Sequence, residues 1–164
     1  IAFAEDHGIN VGIENCPMSF SRDEWPGGKN LATTPEIWRR MFPDIQSPNF
    51  GLNYDPSHLV LQQMDPISPL SEFEFKFFHL HAKDMIVHPE SLNQVGIFAC
   101  PEQWHTPRIP GLGQINWAQL MAALYQVGSD GPVCIEVEDP TFGNTLAGRK
   151  RALRVARNVL EPYF

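Results

Sequence analysis

The sequence predicts an α/β fold built from parallel (β/α) units, and three observations support this. Short apolar segments typical of strands alternate four times with segments typical of helices, an order that favours parallel strands joined by right-handed crossovers. Each strand-like segment ends in polar residues, as the strands of a (β/α) barrel do where they form an active site. The length of 164 residues is enough for a sizeable core, so we expect residues 1–164 to form a single domain.

Composition and charge argue against several classes of protein. With 43% hydrophobic and 19% charged residues, the chain is typical of a globular protein. A net charge of −7 disfavours nucleic acid as a partner, and no apolar run approaches the about 18 residues of a membrane span. The odd set of cysteines, Cys16, Cys100 and Cys134, indicates reduced thiols. We therefore expect a cytoplasmic protein that contacts neither nucleic acid nor membrane.

The first predicted element is the end of a helix. Residues 1–8 resemble the last turns of a helix with Gly8 as its C-terminal stop. No helix start precedes them and there is no initiator Met, so we expect a piece of a longer protein. A short strand is predicted over residues 10–14, with Val11 and Ile13 on one face and Glu14 on the other.

A long loop and a capped helix come next. Residues 16–30 contain two prolines and two glycines, which predicts a loop of a length that is often functional. Thr34 and Pro35 then begin a helix that ends near Pro43. The following strand, over residues 50–55, has apolar residues on one face and Asp55 at the end of the other.

The third strand, over residues 77–83, carries unusual chemistry. Two short helical stretches, at about residues 59–64 and 68–73, precede it. Alternate residues of the strand are apolar and should share the outer face: Phe78, Leu80 and Ala82. The residues between them are polar and should face inward: His79, His81 and Lys83. Because buried polar groups need partners, a metal or a polar ligand is the natural candidate to satisfy them.

The remaining elements complete the alternation. Residues 85–112 contain four prolines and are predicted to form a second long loop. Asn116 begins a helix with a capping box, running to about Val127. The fourth strand covers residues 132–136 with Glu136 facing inward, and a basic helix over about residues 146–160 closes the chain.

Four side chains able to bind a metal fall at the C-terminal ends of the four strands: Glu14, Asp55, His81 and Glu136. Inward side chains at these ends converge in a (β/α) barrel, and three carboxylates with one imidazole suit Mn²⁺, Mg²⁺ or Co²⁺, with Zn²⁺ possible. Three further residues could bind substrate, although each could equally be a surface residue: His58, Lys83 and Arg108.

Five motifs, taken in order, are similar to those of the sugar phosphate isomerase/epimerase family, which has the xylose isomerase-like TIM barrel. They are Ile13–Pro17, Asn53–His58, His79–Asp84, Arg108–Trp117 and Ile135–Pro140. The resemblance covers nearly the whole chain. It implies that Glu14, Asp55, His81 and Glu136 are the family's metal ligands on strands five to eight. It also places His58 on a substrate-binding histidine, and Arg108 resembles an arginine near the sugar.

The resemblance implies a metal-dependent isomerase or epimerase of carbohydrate metabolism that acts on a sugar, sugar phosphate or related polyol. Proton transfer would pass through an enediolate, with Glu14 and Glu136 as acid and base. The alternatives are an inosose dehydratase-like lyase on the same fold, an endonuclease IV-like zinc nuclease and a non-catalytic half-barrel. The nuclease is disfavoured by the acidic charge and by Gln103-Trp104-His105, which lacks the expected aspartate.

A complete TIM barrel runs to about 250 residues, so the chain is expected to be the C-terminal half, an incomplete (β/α)₈ barrel. Its first and last strands should be the edges of an open sheet, because their barrel partners would lie outside the chain. A missing N-terminal half-barrel or a second copy of the chain is therefore expected as partner, besides a small-molecule sugar. The segment could be inactive on its own.

Overall fold

The computed structural model describes residues 1–17 and 30–164. The loop predicted over residues 16–30 lies almost entirely outside these ranges. The α-helices are α1 Ala2–Asp6, α2 Pro35–Asp44, α3 Ser57–Leu61, α4 Pro89–Val95, α5 Trp117–Gln126 and α6 Leu146–Leu160. The strands are β1 Val11–Glu14, β2 Phe50–Tyr54, β3 Phe77–Ala82, β4 Asp84–Val87, β5 His105–Arg108 and β6 Val133–Ile135. Short 3₁₀ turns lie at Ser68–Glu72, Pro101–Gln103 and Glu161–Tyr163.

Strands β1, β2, β3 and β6 form a parallel sheet in that order, which confirms the predicted α/β fold. The C-terminal ends of parallel strands lie at the same edge of a sheet, so β1, β2, β3 and β6 present their last residues side by side. Among the described residues, no further strand pairs with the outer edge of β1 or of β6. Within the described residues, β1 and β6 are therefore the two edge strands of this sheet.

The core lies between the sheet and the helices. Leu52 and Tyr54 of β2 and Leu80 of β3 are at most 4% exposed and pack with buried residues of α2 and α5. Trp38 of α2 is fully buried and meets Tyr54 edge to face, with ring centroids 6.2 Å apart. Burying one large apolar side chain contributes roughly 1.5–3 kcal/mol, so this layer fixes which sheet face is covered.

The caps predicted for the helices are present. Thr34 Oγ1 accepts from the Ile37 N–H at the start of α2, and Asn116 Oδ1 accepts from the Gln119 N–H at the start of α5. Helix α6 has the bounds that the sequence predicts. None of the described helices is long and apolar enough to cross a membrane.

A β-bulge in β3 corrects the predicted position of Phe78. Leu52 of β2 pairs with Phe77, but Asn53 pairs with His79, so β3 holds one extra residue at this point. Phe77 is therefore in the core, at 4% exposure. The ring of Phe78 lies beside Gly51, 2.8 Å from where a Cβ would stand. The prediction that Phe78 shares a face with Leu80 was wrong because simple alternation fails at a bulge.

Residues 85–112, which the sequence predicts to form a second long loop, instead contain regular secondary structure. Strands β4 and β5 form an antiparallel pair, from Asp84 opposite Arg108 to Val87 opposite His105, and α4 lies between them. The prediction failed because each strand has only four residues and β5 contains Pro107. Proline is compatible with a strand whose other side needs no backbone donor, and no third strand joins this pair in the described residues.

Asp84, at the start of this hairpin, is a buried carboxylate surrounded by N–H donors. Its Oδ1 accepts from the backbone N–H of Met85 at 2.8 Å and of Ile115 at 3.0 Å. Its Oδ2 accepts from the Gly111 N–H at 3.1 Å and from Trp117 Nε1 at 2.9 Å. One side chain thus ties the hairpin to the loop that leads into α5.

Candidate metal centre

Four side chains from the four parallel strands meet at the C-terminal edge of the sheet. Each offers one ligand atom, and these atoms all lie within 4.8 Å of one another: Glu14, Asp55, His81 and Glu136. Glu14 ends β1, Asp55 follows β2, His81 is in β3 and Glu136 follows β6. The structure thus brings together the four residues that the sequence singled out.

His81 lies between the two glutamates. Its Nδ1 is 3.2 Å from Glu14 Oε1 and 3.3 Å from Glu136 Oε2. The neighbouring carboxylates of Glu136 and Glu14 raise the pKa of His81 to about 10. Two ligands of one tetrahedral ion with bonds of about 2.1 Å lie roughly 3.4 Å apart. The observed separations therefore suit side chains that share a small cation.

Asp55 is held rigidly and is fully buried. Its Oδ1 accepts from the Ser57 N–H at 2.8 Å. The buried Asn15 side chain accepts from the Asp55 N–H at 2.7 Å and donates to the Asp55 carbonyl at 2.8 Å. These bonds join the end of β1 to the end of β2, which sets the position of Asp55 relative to Glu14.

Two buried carboxylate oxygens in this group have no hydrogen-bond partner among the described residues: Asp55 Oδ2 and Glu136 Oε2. A buried polar atom without a partner costs about 1–3 kcal/mol, and a cation would satisfy both oxygens. The donor set of three carboxylates and one imidazole, with these two oxygens turned inward, fits a divalent metal ion.

Lys83 also reaches into this group. Its side chain is 3% exposed, and Nζ lies 3.1 Å from one oxygen each of Asp55, Glu136 and Glu138. Burial would lower the pKa of Lys83, but these carboxylates raise it well above its usual range. Nζ lies close to the inward oxygens of Asp55 and Glu136 without meeting them along a hydrogen-bond direction. Lys83 thus compensates charge but leaves both oxygens open to a further ligand.

His58 stands beside the same carboxylates at the start of α3. It is 4% exposed, and its Nε2 lies 3.3 Å from Asp55 Oδ2 and 3.4 Å from Glu14 Oε1. Burial lowers the pKa of His58, but Asp55, a hydrogen bond with Cys16 and one with Glu14 outweigh it and raise the pKa to about 9. His58 and Lys83 line a pocket of about 370 Å³. Its other polar lining residues are Cys16, Glu102, His105 and Glu138.

Arg108 lies apart from this group. Its Nη1 donates to Asp139 Oδ1 at 3.2 Å and to Thr141 Oγ1 at 2.9 Å, and its Nε donates to the Leu112 carbonyl at 3.3 Å. Asp139 is fully buried. In this structure the guanidinium therefore joins β5 to the segment after β6.

Two residues of the site, Glu138 and Asn53, were not singled out from the sequence, although their spacing from predicted ligands pointed to them. Glu138 follows Glu136 by two residues, and Asn53 precedes Asp55 by two, so alternation places each on the same face as a predicted ligand. Asn53 bridges two histidines: Nδ2 lies 3.0 Å from His81 Nε2, and Oδ1 accepts from His79 Nδ1 at 2.7 Å.

The bridge by Asn53 leads to a prediction about metal affinity. A metal bound to His81 Nδ1 requires the ring proton to be on Nε2. After a half-turn of the Asn53 amide, its oxygen would accept a hydrogen bond from this N–H, and its nitrogen would donate one to His79. We expect Asn53→Ala to weaken binding of a divalent metal about 10–100-fold, as loss of such an outer partner typically does. Isothermal titration calorimetry of the metal-free protein measures this, with the exposed Asn93→Ala as control. Equal affinities for all three proteins would exclude the role.

Comparison with known proteins connects this geometry to a family. A model of the xylose isomerase-like TIM barrel family matches residues 1–161. An uncharacterised protein of Methanocaldococcus jannaschii is 26% identical over 138 residues, which cover 83% of this chain and 39% of that protein. An inosose dehydratase of Lacticaseibacillus casei is 30% identical over 124 residues, which cover 71% of this chain and 40% of the enzyme.

Solved structures share the fold. The IolI protein, crystallised with a bound zinc atom, has a TM-score of 0.71 at 21% identity, covering 99% of this chain and 53% of its own. D-allulose 3-epimerase from Methylomonas sp., in complex with D-allulose, has a TM-score of 0.58 at 20% identity, with coverage of 98% and 49%. Identities this low establish the fold alone. The chain spans about two fifths of the length of these curated relatives and about half of the solved chains.

Proposed function

This chain belongs to the xylose isomerase-like TIM barrel family, and we propose that it is the C-terminal half-barrel of a metal-dependent sugar isomerase or epimerase. Its substrate would be a sugar, a sugar phosphate or a related polyol. The observation that carries the proposal is the meeting of Glu14, Asp55, His81 and Glu136 at one edge of a parallel sheet. Structural relatives that bind zinc or D-allulose support it.

These four side chains would hold the metal, and their oxygen-rich set suits Mn²⁺, Mg²⁺ or Co²⁺, with Zn²⁺ admitted by the imidazole. A divalent ion bound there supplies Lewis acidity that lowers the energy of negative charge on a neighbouring substrate oxygen. The protein's contribution is to fix the ligands. Asn15 fixes Asp55 through two hydrogen bonds to its backbone. Asn53 fixes His81 through its contact with Nε2 of the ring.

The proton would be moved by Glu14 and Glu136. Both contact Nδ1 of His81, and they come from β1 and β6, the two outer strands of the sheet. The imidazoles of His58 and His81 hold the pKa of Glu14 well below its usual range, and His81 also lowers the pKa of Glu136. Both carboxylates are therefore ionised at neutral pH. A pair on opposite faces of a carbon is what epimerisation needs, whereas isomerisation can use one base.

The substrate would lie in the pocket of about 370 Å³ beside the carboxylates. This volume is at the lower end of the range for small-molecule sites. His58 and Lys83 reach this pocket from α3 and the end of β3, so we assign them to substrate oxygens. Arg108 would bind substrate only if its hydrogen bonds to Asp139 and Thr141 were replaced by hydrogen bonds to the substrate.

The proposal includes a partner that completes the barrel. The edges of β1 and β6 have no strand beside them in the described part of the chain, and Ile9 and Val11 beside the β1 edge are exposed. Open parallel edges leave backbone donors and acceptors unpaired. An N-terminal half-barrel, or a second copy of this chain, would cover them and supply the remaining substrate contacts.

A lyase reaction is the second candidate, because a relative with 30% identity is an inosose dehydratase. The same carboxylates could remove a proton next to a carbonyl in either reaction. The fate of the neighbouring hydroxyl separates the two, since a dehydratase releases water and an epimerase does not.

The experiment uses the complete protein, stripped with a chelator and reloaded with one divalent metal at a time. A panel of ketoses, their phosphates and inososes is then incubated with it in deuterated water. We expect no turnover without metal, and restored turnover that places deuterium at the epimerised carbon. A product lighter by one water would establish the lyase instead. Full metal occupancy with no product from any member of the panel would indicate that the protein is a non-catalytic binding module.

A further inference from the structure

The pocket beside the candidate metal centre presents hydrogen-bond acceptors to whatever it binds. Three of its polar lining residues lie outside the metal group: Glu102, His105 and Glu138. We propose that this pocket selects an unphosphorylated sugar or polyol and rejects the corresponding phosphate ester. The inference rests on the proposed function and narrows it, because that function admits a sugar, a sugar phosphate or a related polyol.

His105 offers an acceptor because of the way its ring is held. Its Nδ1 donates to the Pro101 carbonyl at 2.5 Å, and burial lowers the pKa of His105. The neutral ring therefore carries its proton on Nδ1, and Nε2 is left as an acceptor. The carboxylates of Glu102 and Glu138 likewise only accept. A sugar hydroxyl can donate to all three groups, whereas a phosphate dianion has no proton to donate.

Lys83 and Arg108, the two cations that could attract a phosphate, are already paired with carboxylates. Lys83 Nζ lies 3.1 Å from one oxygen each of three acidic residues: Asp55, Glu136 and Glu138. Arg108 Nη1 donates to Asp139 Oδ1 at 3.2 Å. A phosphate would have to displace these carboxylates, so neither cation is available to it without breaking an existing ion pair.

Backbone N–H groups of the loops after β3 and β6 are committed in the same way. In TIM barrels, the loops after the seventh and eighth strands frequently form a phosphate site, and β3 and β6 would be these strands in the proposed barrel. After β3, the Asp84 carboxylate accepts from three backbone N–H groups. After β6, the Asp139 carboxylate accepts from those of Thr141, at 2.9 Å, and Ile109, at 3.3 Å. Two internal carboxylates thus occupy donors that a phosphate there would need.

The net charge around the pocket is negative even when a metal is bound. Among the described residues, five carboxylates belong to the metal group or line the pocket: Glu14, Asp55, Glu102, Glu136 and Glu138. A divalent ion, Lys83 and a protonated His58 supply four positive charges, and His81 is neutral as a metal ligand. One negative charge therefore remains, and two remain where His58 is neutral. A phosphate dianion would add like charge, which binding sites strongly disfavour, whereas a sugar adds none.

Calorimetry with a hexitol and its terminal phosphate ester tests the inference, because a hexitol lacks the carbonyl and cannot be turned over. Each compound is titrated into the complete protein, loaded beforehand with one equivalent of Mn²⁺. We expect the hexitol to bind about 10²-fold more tightly than its phosphate ester. A phosphate ester that binds as tightly as the hexitol, or more tightly, would overturn the inference, as would the absence of hexitol binding.

A double variant that carries Glu102→Gln and Glu138→Gln should reduce the preference about tenfold, mainly through tighter binding of the phosphate ester. The two amides keep the size of the side chains, remove negative charge and can donate to a phosphate. The matched control carries Glu5→Gln and Glu74→Gln, since these exposed residues precede β1 and β3 and do not line the pocket. The control should keep the full preference. An equal preference in both double variants would overturn the inference.

The inference and the proposed reaction fail separately. Turnover of a ketose phosphate, together with tight binding of the hexitol phosphate, would sustain the reaction and overturn the selectivity of the pocket. A preference for the free hexitol without turnover of any sugar would sustain the selectivity and remove the reaction.

Discussion

Glu136→Gln in the complete protein is expected to lower kcat by a factor of about 10²–10⁴, the usual effect of losing a general base. The amide keeps the size of the side chain and an oxygen for a metal, but it cannot accept a proton. Substrate affinity should change far less, because the His58 and Lys83 side of the pocket is unaltered. The change therefore removes proton transfer while leaving the site assembled.

Steady-state kinetics at measured metal content tests this expectation. Glu138→Gln is the informative comparison, since it also removes a negative charge 3.1 Å from Lys83 but lies outside the ligand group. It should lower kcat much less. If Glu136→Gln turned over at the wild-type rate with full metal occupancy, Glu136 would have no catalytic role.

Asp84→Ala should lower the free energy of unfolding by about 3–5 kcal/mol. Its four N–H donors would lose their acceptor in a buried position, and each unsatisfied group costs about 1–3 kcal/mol before water recovers part of it. The loop between β5 and α5 would lose its attachment to the hairpin. Asp84→Asn should fall between Ala and the wild type, because the amide oxygen can still accept two of the bonds.

Urea denaturation followed by circular dichroism measures the difference, and Asp44→Ala provides the control. Asp44 is an exposed aspartate in the last turn of α2, where a negative charge gains nothing from the helix dipole. Its removal should leave the denaturation midpoint nearly unchanged. If Asp84→Ala unfolded at the same urea concentration as Asp44→Ala, the four bonds would not be important for stability.

The sequence determined the framework and four positions in the site. Periodicity and caps are local signals, so Thr34, Asn116 and the bounds of α6 could be predicted from neighbouring residues alone. The meeting of Glu14, Asp55, His81 and Glu136 also followed, because parallel strands bring their C-terminal ends to one edge whatever lies between them. For these four residues, the position along a strand was sufficient to predict that their side chains meet.

Only the tertiary structure decided the rest. The β4–β5 hairpin depends on pairing between residues 84–87 and 105–108, and the bulge that turns Phe78 away from the core depends on the register between β2 and β3. The Lys83 contact with Glu138 and the approach of Cys16 to His58 join residues far apart in the chain. Such contacts are selected by packing and charge compensation in three dimensions, which the local pattern of a single sequence does not encode.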